Sequence, residues 1–280
     1  MQLILISGLS GSGKSVALKA LEDAGYASVD NLPATLLASL IALYREQGHE
    51  RVAISVDTRG GPTLAALPGA MAALAAEGVD VRLLYLEAKS DTLVRRFSET
   101  RRRHPLSGPG LTVEECIRQE EAMLAEVKAL GYPIDTSELS ANRLRTWIKA
   151  LVGAEAGRLT LVFESFGFKH GVPLDADLVF DVRCLPNPFY DPRLRPLTGL
   201  DQPIVDFLLQ ESSVAEMVND IRRFLDKWLP AYRQENRSYL TVAVGCTGGQ
   251  HRSVFVVETL ARAFADEQVL VRHRELPEAR

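Results

Sequence analysis

The feature that most constrains the fold lies near the start of the chain, where the apolar run QLILIS meets a glycine-rich loop. Gly8 and Gly13 bracket four residues and are followed by Lys14 and Ser15, so the loop fills every position of the pattern GxxxxGK[ST]. The run before it resembles a buried strand, and KSVALKALEDAG after it has the spacing of a helix. A loop in this position directs backbone N–H groups at phosphate oxygens. The chain is therefore predicted to bind a nucleoside triphosphate.

The residues of this loop are expected to have different roles in nucleotide binding. Lys14 is predicted to reach the terminal phosphates and to act in catalysis, and Ser15 is predicted to bind magnesium, Mg2+. The predicted cofactor-binding residues are Gly8, Leu9, Ser10, Gly11, Ser12, Gly13, Lys14 and Ser15. A glycine-rich turn with a chance lysine is the alternative, and it is disfavoured because a strand and a helix flank the loop as phosphate binding requires.

A triphosphate site also needs an acidic residue near the metal, at the end of a neighbouring strand. Asp57 closes the run RVAISVD and is predicted to be a Mg2+ ligand and, with Lys14, a catalytic residue. The turn after it completes the predicted nucleotide site with Thr58, Arg59 and Gly60. Asp30 and Glu87 end adjacent runs and are rival metal ligands, and a turn role for Asp57 stays open because aspartate is favoured there without any ligand.

Composition and patterning limit the class of protein. The formal charge of -4 excludes attraction of polyanions to the whole surface, so nucleic acid would need a local basic patch. Three widely spaced cysteines give neither a disulfide framework nor a paired metal spacing, which favours a reducing cytosol. No apolar run approaches the roughly 20 residues of a membrane span. We therefore expect a cytoplasmic protein without a membrane partner.

The first third of the chain alternates short apolar runs with amphipathic stretches, which is typical of a parallel α/β sheet. The small, glycine-bearing stretch Val152–Leu159 is predicted to be a linker. Two α/β domains follow from this division, with a P-loop nucleotide-binding domain over residues 1–153 and a smaller domain over residues 154–280. Helical sequence is predicted over 112–130 and 213–229, and an irregular proline-rich stretch over 186–203.

An arginine-rich segment, SDTLVRRFSETRRRHPL, begins at Asp91. Arginine side chains bind phosphate through two parallel hydrogen bonds, so the segment is compatible with a mobile lid over the phosphates. A solvated helix face explains the same residues without any ligand, and on the segment alone that interpretation is favoured.

A second glycine-rich loop, GCTGGQHRS, follows the apolar run YLTVAV and precedes another helical stretch. Its backbone amides could converge on one phosphate, with an arginine closing the cage. The predicted phosphometabolite-binding residues are Cys246, Thr247, Gly248, Gly249, His251, Arg252 and Ser253. Four further cations are placed in the same cleft from topology alone, Lys169, His170, Arg193 and Arg195.

Cys246, five intervening residues, Arg252 and Ser253 also match the spacing of cysteine phosphatases, in which a helix N-terminus and an arginine activate the thiol. Such phosphatases usually carry a histidine where this chain has Gly245. Phosphate capture needs only the loop, whereas turnover also needs a positioned acid. Binding is therefore favoured over catalysis, and a tight structural turn is the third interpretation.

Taken together, these strings resemble the bacterial RapZ/YvcJ family of P-loop nucleotide-binding proteins, over essentially the whole chain. The resemblance is carried by GLSGSGKSVALKALED, DNLP, DTRG, ETRRRHPL, VFESFGFKHG, DVRCLPNP, PLTGLD, SYLTVAVGCTGGQHRSV and RHREL. It implies a kinase-like N-terminal P-loop domain that binds ATP and GTP and hydrolyses them weakly. ATP would bind at Gly8–Ser15, and GTP at Asp57–Gly60.

The resemblance also implies partners for a regulatory adapter. These are glucosamine-6-phosphate or a similar sugar phosphate, a small regulatory RNA, an endoribonuclease and further copies of the same chain. The chain ends VRHRELPEAR, with mixed charges where RNA-binding relatives have a denser basic cluster, so nucleotide binding is favoured over RNA binding. A small-molecule kinase, a cysteine phosphatase and a pure RNA-binding module are the alternative functions.

Overall fold

The computed structural model describes residues 1–153, 158–234, 237 and 239–276. The chain divides into two compact units, Met1–Gly153 and Ala154–Arg280. Part of the predicted linker, residues 154–157, and the last four residues, 277–280, lie outside the described residues. Within the described ranges, no helix combines the length and the apolar character that crossing a membrane requires.

The first unit is built on a five-stranded parallel sheet in the order β2-β3-β1-β4-β5. Its strands are β1 (Gln2–Gly8), β2 (Ala27–Val29), β3 (Arg51–Ser55), β4 (Asp80–Glu87) and β5 (Tyr132–Asp135). The run Leu3–Ile6 is apolar at consecutive positions and fully buried. Continuous apolar runs are typical of parallel strands that are covered on both faces. The central strand β1 therefore ends in the interior of the unit.

Seven α-helices among the described residues lie in the same unit as this sheet. They are α1 (Lys14–Glu22), α2 (Leu37–Glu46), α3 (Leu67–Ala76), α4 (Ser90–Thr100), α5 (Val113–Met123), α6 (Ala125–Leu130) and α7 (Ala141–Val152). The helical segment predicted over 112–130 is divided in two at Leu124, whose backbone leaves the helical region. Thr112 and Glu115 form a capping box that fixes the start of α5.

The second unit contains a four-stranded parallel sheet in the order β7-β8-β6-β9. Its strands are β6 (Thr160–Gly167), β7 (Leu178–Asp181), β8 (Tyr239–Cys246) and β9 (Gln268–His273). Its described helices are α8 (Gln202–Leu209), α9 (Ser212–Gln234) and α10 (Arg252–Ala263). The predicted α/β class, with a parallel sheet in the first unit followed by a second α/β unit, is confirmed.

Helix α9 is longer than the sequence predicts, because it continues through Pro230 to Gln234. An internal proline removes one helical hydrogen bond and costs about 3 kcal/mol. The helix nevertheless persists, because its buried apolar stripe reaches Leu229 and because Tyr232, beyond the proline, also packs against the core of the unit. The stripe consists of Val214, Val218, Ile221, Leu225 and Leu229.

Candidate functional site

The two glycine-rich loops occupy equivalent places in their own sheets. One follows β1, which lies between β3 and β4, and the other follows β8, which lies between β7 and β6. Ligands of open α/β sheets bind outside the carboxyl ends of the strands. Each loop is therefore placed where a small ligand can approach the backbone.

The glycines of the first loop are required by its geometry. Gly8 has φ of +132°, and a Cβ atom there would lie 1.9 Å from the carbonyl oxygen of Leu86. Gly13 has φ of +104°, and its Cβ would lie 2.7 Å from a methyl group of Leu144. Only glycine adopts these positive φ values without strain, so the pattern of glycines is explained by the packing of the loop against β4 and α7.

Helix α1 begins directly after Gly13 and has neither a side-chain cap nor an acidic residue in its first turn. The first N–H groups of a helix have no partner within the helix, and the helix dipole places positive potential there. Ser15 is exposed in this first turn. The start of α1 is thus an electropositive surface that suits an anion.

Lys14 directs its ammonium group back toward the start of the loop. Its Nζ atom donates to the carbonyl oxygens of Gly8 at 2.7 Å and Leu9 at 3.2 Å, and it lies 4.0 Å from Asp57 Oδ2. Burial lowers the pKa of the Lys14 ammonium, and the carboxylates of Glu120 and Asp57 oppose that effect. The ammonium is therefore held at the edge of the loop by neutral carbonyls that phosphate oxygens could replace.

The outer carbonyls of the loop are fixed from two other elements. Arg96 on α4 donates to the carbonyl oxygen of Gly11 at 3.0 Å and to that of Thr136 at 2.6 Å. The hydroxyl of Thr136 donates to the carbonyl oxygen of Ser12 at 2.9 Å. Arg96 therefore supports the shape of the loop by holding its carbonyl oxygens. This role differs from both interpretations of the arginine-rich segment, the phosphate lid and the solvated helix face.

Asp57 lies two residues beyond β3 and is almost fully buried. Its Oδ1 accepts from the Arg59 backbone N–H at 2.9 Å, and its Oδ2 accepts from Arg59 Nη2 at 2.6 Å. Burial raises the pKa of the Asp57 carboxyl, but the Arg59 hydrogen bonds and the Lys14 charge outweigh it, so the pKa lies below its ordinary value. Thr58 and Gly60 occupy the turn that follows, and Thr58 is buried.

The residues near the loop fit a magnesium ion that arrives with a triphosphate. Ser15 and Asp57 supply a hydroxyl and a carboxylate, which are the hard oxygen ligands that Mg2+ prefers. Among the described residues, no group of three or more His, Cys, Asp or Glu side chains could hold a metal ion. Mg2+ commonly keeps several waters and is bound through one or two carboxylates and the substrate phosphates. The Ser12 hydroxyl, buried and without a partner in the described part of the chain, is a further polar atom in the loop.

Glu120 also belongs to this site, although it was not among the residues predicted from the sequence. It is fully buried on α5 and accepts hydrogen bonds from the backbone N–H and the hydroxyl of Ser10, both at 2.7 Å. The Thr58 hydroxyl donates to it at 3.0 Å. No motif marks this residue. A signal did exist, since Glu120 falls on the same helical face as the buried residues Cys116 and Ile117.

The rival metal ligands are engaged elsewhere. Asp30 accepts a hydrogen bond from the hydroxyl of Ser55, and Glu87 pairs with the ammonium of Lys128. Asp57, by contrast, forms an ion pair with Lys14, whose Nζ lies 4.0 Å from Asp57 Oδ2.

The second loop is folded around the sulfur of Cys246. The backbone N–H of Gly249 donates to Sγ at 3.2 Å, and the Ser253 hydroxyl lies 3.2 Å from Sγ. Gly249 has φ of +72°, which lets the loop turn back over the cysteine. Helix α10 starts immediately afterwards at Arg252 and has no side-chain cap. The loop thus combines a tight turn with an uncapped helix N-terminus.

Arg252 is buried and ties the loop to the segment that follows β7. Its Nη1 donates to the carbonyl oxygens of Arg183 at 2.8 Å and Leu185 at 2.9 Å, and its Nη2 donates to the Thr247 hydroxyl at 3.4 Å. Its Nε and the Nε2 of buried His251 have no hydrogen-bond partner within the described ranges. Buried polar atoms usually have partners, so these two nitrogens indicate a place for a ligand or a water.

The surroundings of the loop also explain Gly245. A Cβ atom there would lie 2.5 Å from the rings of both Phe166 and Phe168. The histidine that usually precedes the cysteine of phosphatases could not be accommodated. This packing favours phosphate binding over the phosphatase alternative.

Lys169 and His170 are two of the four cations predicted to line this cleft. They lie in a short helical turn, Phe168–His170, which follows β6. The backbone N–H of Lys169 donates to the carbonyl oxygen of Thr247 at 3.3 Å, which places this turn beside the loop. Lys169 and His170 are exposed. The other two cations interact within their own segment, since Arg193 pairs with Asp191 at 2.8 Å and Arg195 donates to the carbonyl oxygen of Phe189 at 3.2 Å.

Comparison with known proteins covers both units. The family model of the RapZ-like N-terminal domain matches residues 1–156, and that of the RapZ C-terminal domain matches residues 159–277. A nucleotide-binding protein of Chromobacterium violaceum is 68% identical over 276 residues, which are 99% of this chain and 99% of that protein. A nucleotide-binding protein of Aromatoleum aromaticum is 61% identical over 276 residues, 98% of this chain and 94% of that protein.

Solved structures are similar to part of the chain. The shikimate kinase of Bacteroides thetaiotaomicron is 16% identical, with 54% of this chain and 96% of that chain covered and a TM-score of 0.37.

Proposed function

The chain belongs to the RapZ family of nucleotide-binding proteins, and from this premise we propose that it is a regulatory protein that binds ATP and GTP with Mg2+ and hydrolyses them slowly. The observation that carries the proposal is the combination of Lys14 with the uncapped start of α1. Lys14 is the first residue of α1, so an ammonium group and the uncapped amides of a helix N-terminus lie at the same end of the loop, as polyphosphate binding requires. We propose Gly8–Ser15 as the ATP-binding loop and Asp57–Gly60 as the segment for GTP.

The side chains near the loop would take different roles in nucleotide binding. Lys14 would exchange its two carbonyl partners for oxygens of the terminal phosphates, and Ser15 and Asp57 would hold Mg2+ together with those phosphates. When bound, the ion would neutralise charge that develops on the phosphates. Arg59 is the present partner of Asp57 and is half exposed, so it can move toward solvent or toward a phosphate.

A titration of the full chain with ATP and GTP, with and without MgCl2, tests the assignment of Asp57. Asp57→Asn is expected to reduce the gain in ATP affinity that MgCl2 produces by about tenfold, equivalent to about 1.4 kcal/mol. Affinity without Mg2+ should stay unchanged or rise, because one negative charge near the phosphates is removed. Calorimetry measures both quantities. Asp30→Asn is the matched control, since Asp30 also follows a strand of the same sheet; an equal loss in both variants would contradict the role of Asp57.

We further propose that the second unit binds a phosphorylated amino sugar, such as glucosamine-6-phosphate, through the loop Cys246–Ser253. The N-terminus of α10 has no side-chain cap, and Arg252 Nε and His251 Nε2 have no hydrogen-bond partner among the described residues, which supports an anion there. The regulatory RNA, the endoribonuclease and the homo-oligomer are expectations from the family resemblance, as is a cytoplasmic location.

Gly248→Ala tests this loop with little risk to folding, because an added Cβ at Gly248 meets no atom of the described residues within 4 Å. We expect at least about tenfold weaker binding of glucosamine-6-phosphate, since the methyl group would occupy space that the phosphate needs next to the backbone amides; that loss equals about 1.4 kcal/mol. Calorimetry with glucosamine-6-phosphate, glucosamine and inorganic phosphate separates the contribution of the phosphate. Gly69→Ala is the control, because Gly69, like Gly248, lies outside the positive-φ region and a Cβ there meets no atom of the described residues within 4 Å. Unchanged affinity in folded Gly248→Ala would remove this site from the proposal.

A further inference from the structure

The carboxylate of Glu120 is bound to the backbone and side chain of the first loop. Its Oε2 accepts from the Ser10 backbone N–H, and its Oε1 accepts from the hydroxyls of Ser10 and Thr58. Its Oε2 also lies 3.2 Å from His104 Nε2. Both Glu120 and His104 are almost completely buried. Four donors therefore hold one internal anion against the backbone of the loop.

The position of Lys14 shows which end of a nucleotide this anion resembles. The lysine of such a loop reaches the β- and γ-phosphates. The Nζ of Lys14 is bonded to the carbonyls of Gly8 and Leu9, directly before Ser10 in the chain. The Glu120 carboxylate also raises the pKa of the Lys14 ammonium, against the effect of burial. The bond between Glu120 and Ser10 therefore lies at the terminal-phosphate end of the loop.

We infer that Glu120 is a specificity-determining residue, whose carboxylate competes with the terminal phosphate of a triphosphate for Ser10. The inference rests on the proposed nucleotide binding and deepens it. A γ-phosphate and a carboxylate repel each other and cannot both accept from one N–H group, so a triphosphate must displace Glu120. A diphosphate bound at the first turn of α1 leaves Glu120 in place. Glu120 therefore lowers affinity for triphosphates relative to diphosphates.

Displacement of Glu120 also affects the arginine-rich segment through His104. The Nδ1 of His104 accepts from the Leu106 backbone N–H at 3.1 Å, so the proton of the neutral ring lies on Nε2, which donates to Glu120. Movement of the carboxylate leaves this buried donor without an acceptor, which is unfavourable. The segment before it, Arg101–Arg103, is exposed. A triphosphate is thus expected to loosen the segment around His104, and a diphosphate is not.

The test compares ATP with ADP in the full chain and in Glu120→Gln, which keeps the shape of the side chain and removes its charge. We expect ATP affinity to rise about tenfold and ADP affinity to change less than twofold, both measured by calorimetry in the presence of MgCl2. Glu121→Gln is the matched control, because Glu121 is the next residue on α5 and is exposed. Equal changes for the two nucleotides, or weaker ATP binding, would overturn the inference.

A measurement on the unmodified chain keeps the test decisive if Glu120→Gln does not fold. Trypsin cleavage after Arg101–Arg103 should become several-fold faster with saturating ATP and stay constant with ADP. Equal rates with the two nucleotides would overturn the inference and leave the proposed nucleotide binding intact. Absence of binding of either nucleotide to the unmodified chain would instead refute the proposed function, and the inference with it.

Discussion

Lys14→Ala is expected to lower the affinity of the chain for ATP and for GTP by at least about 100-fold. A hydrogen bond to a charged group contributes roughly 1.5–3 kcal/mol, and the present bonds of Lys14 to two carbonyls show that its ammonium reaches two acceptors at once. Each 1.4 kcal/mol corresponds to about a factor of ten in affinity. Calorimetry with the full chain measures the loss, and circular dichroism establishes that the variant is folded.

Lys19→Ala provides the control for this prediction, because Lys19 lies in the last turn of the same helix and is exposed. It should bind ATP as the unmodified chain does. Binding of glucosamine-6-phosphate should be retained in Lys14→Ala, since Lys14 and Arg252 belong to different compact units. A folded Lys14→Ala chain that binds ATP with unchanged affinity would refute the proposed nucleotide site.

The first loop could be predicted from sequence because its chemistry is local. Eight consecutive residues supply the turn, the amides, the ammonium and the hydroxyl, and the flanking strand and helix are recognised by their own periodicity. Asp57 was predicted for a similar reason, since it closes an apolar run. Its ion pair with Lys14 nevertheless required the structure, because it depends on β1 and β3 being neighbours in the sheet.

The contacts that complete the two loops could not be predicted, because they join residues far apart in the chain. Glu120 is 110 residues from Ser10, and Arg252 is 69 residues from the carbonyl of Arg183. No short pattern encodes such pairs. For Glu120 the sequence shows only a charged residue on the apolar face of a helix. Such a position indicates that the charge has a buried partner, but it does not identify the partner.

Some helix ends are set by local sequence, and others are set by tertiary packing. The capping box of Thr112 and Glu115 fixes the start of α5, and both residues lie in one turn. The continuation of α9 through Pro230 depends on burial of its apolar stripe in the core of the second unit. Local rules predict a break at that proline, and packing overrides them.

Gly8→Ala is expected to destabilise the first unit by more than about 4 kcal/mol, which is exceptional for one methyl group. The added Cβ would lie 1.9 Å from the carbonyl oxygen of Leu86, on the strand that pairs with β1 at this position. No side-chain rotation relieves a contact with backbone, so β1 and β4 must separate or the loop must refold. The positive φ of Gly8 adds a further conformational cost.

Urea denaturation followed by tryptophan fluorescence measures this effect in the first unit. The chain has two tryptophans, Trp147 in α7 and Trp228 in α9, so Trp228→Phe provides a background in which fluorescence reports the first unit alone. Gly78→Ala is the control, because Gly78 also has a positive φ, +81°, but an added Cβ meets no atom within 4 Å. It should cost only the roughly 1–2 kcal/mol of the left-handed backbone. If both variants lose the same stability, the close approach of β4 to the loop does not explain the glycine at position 8.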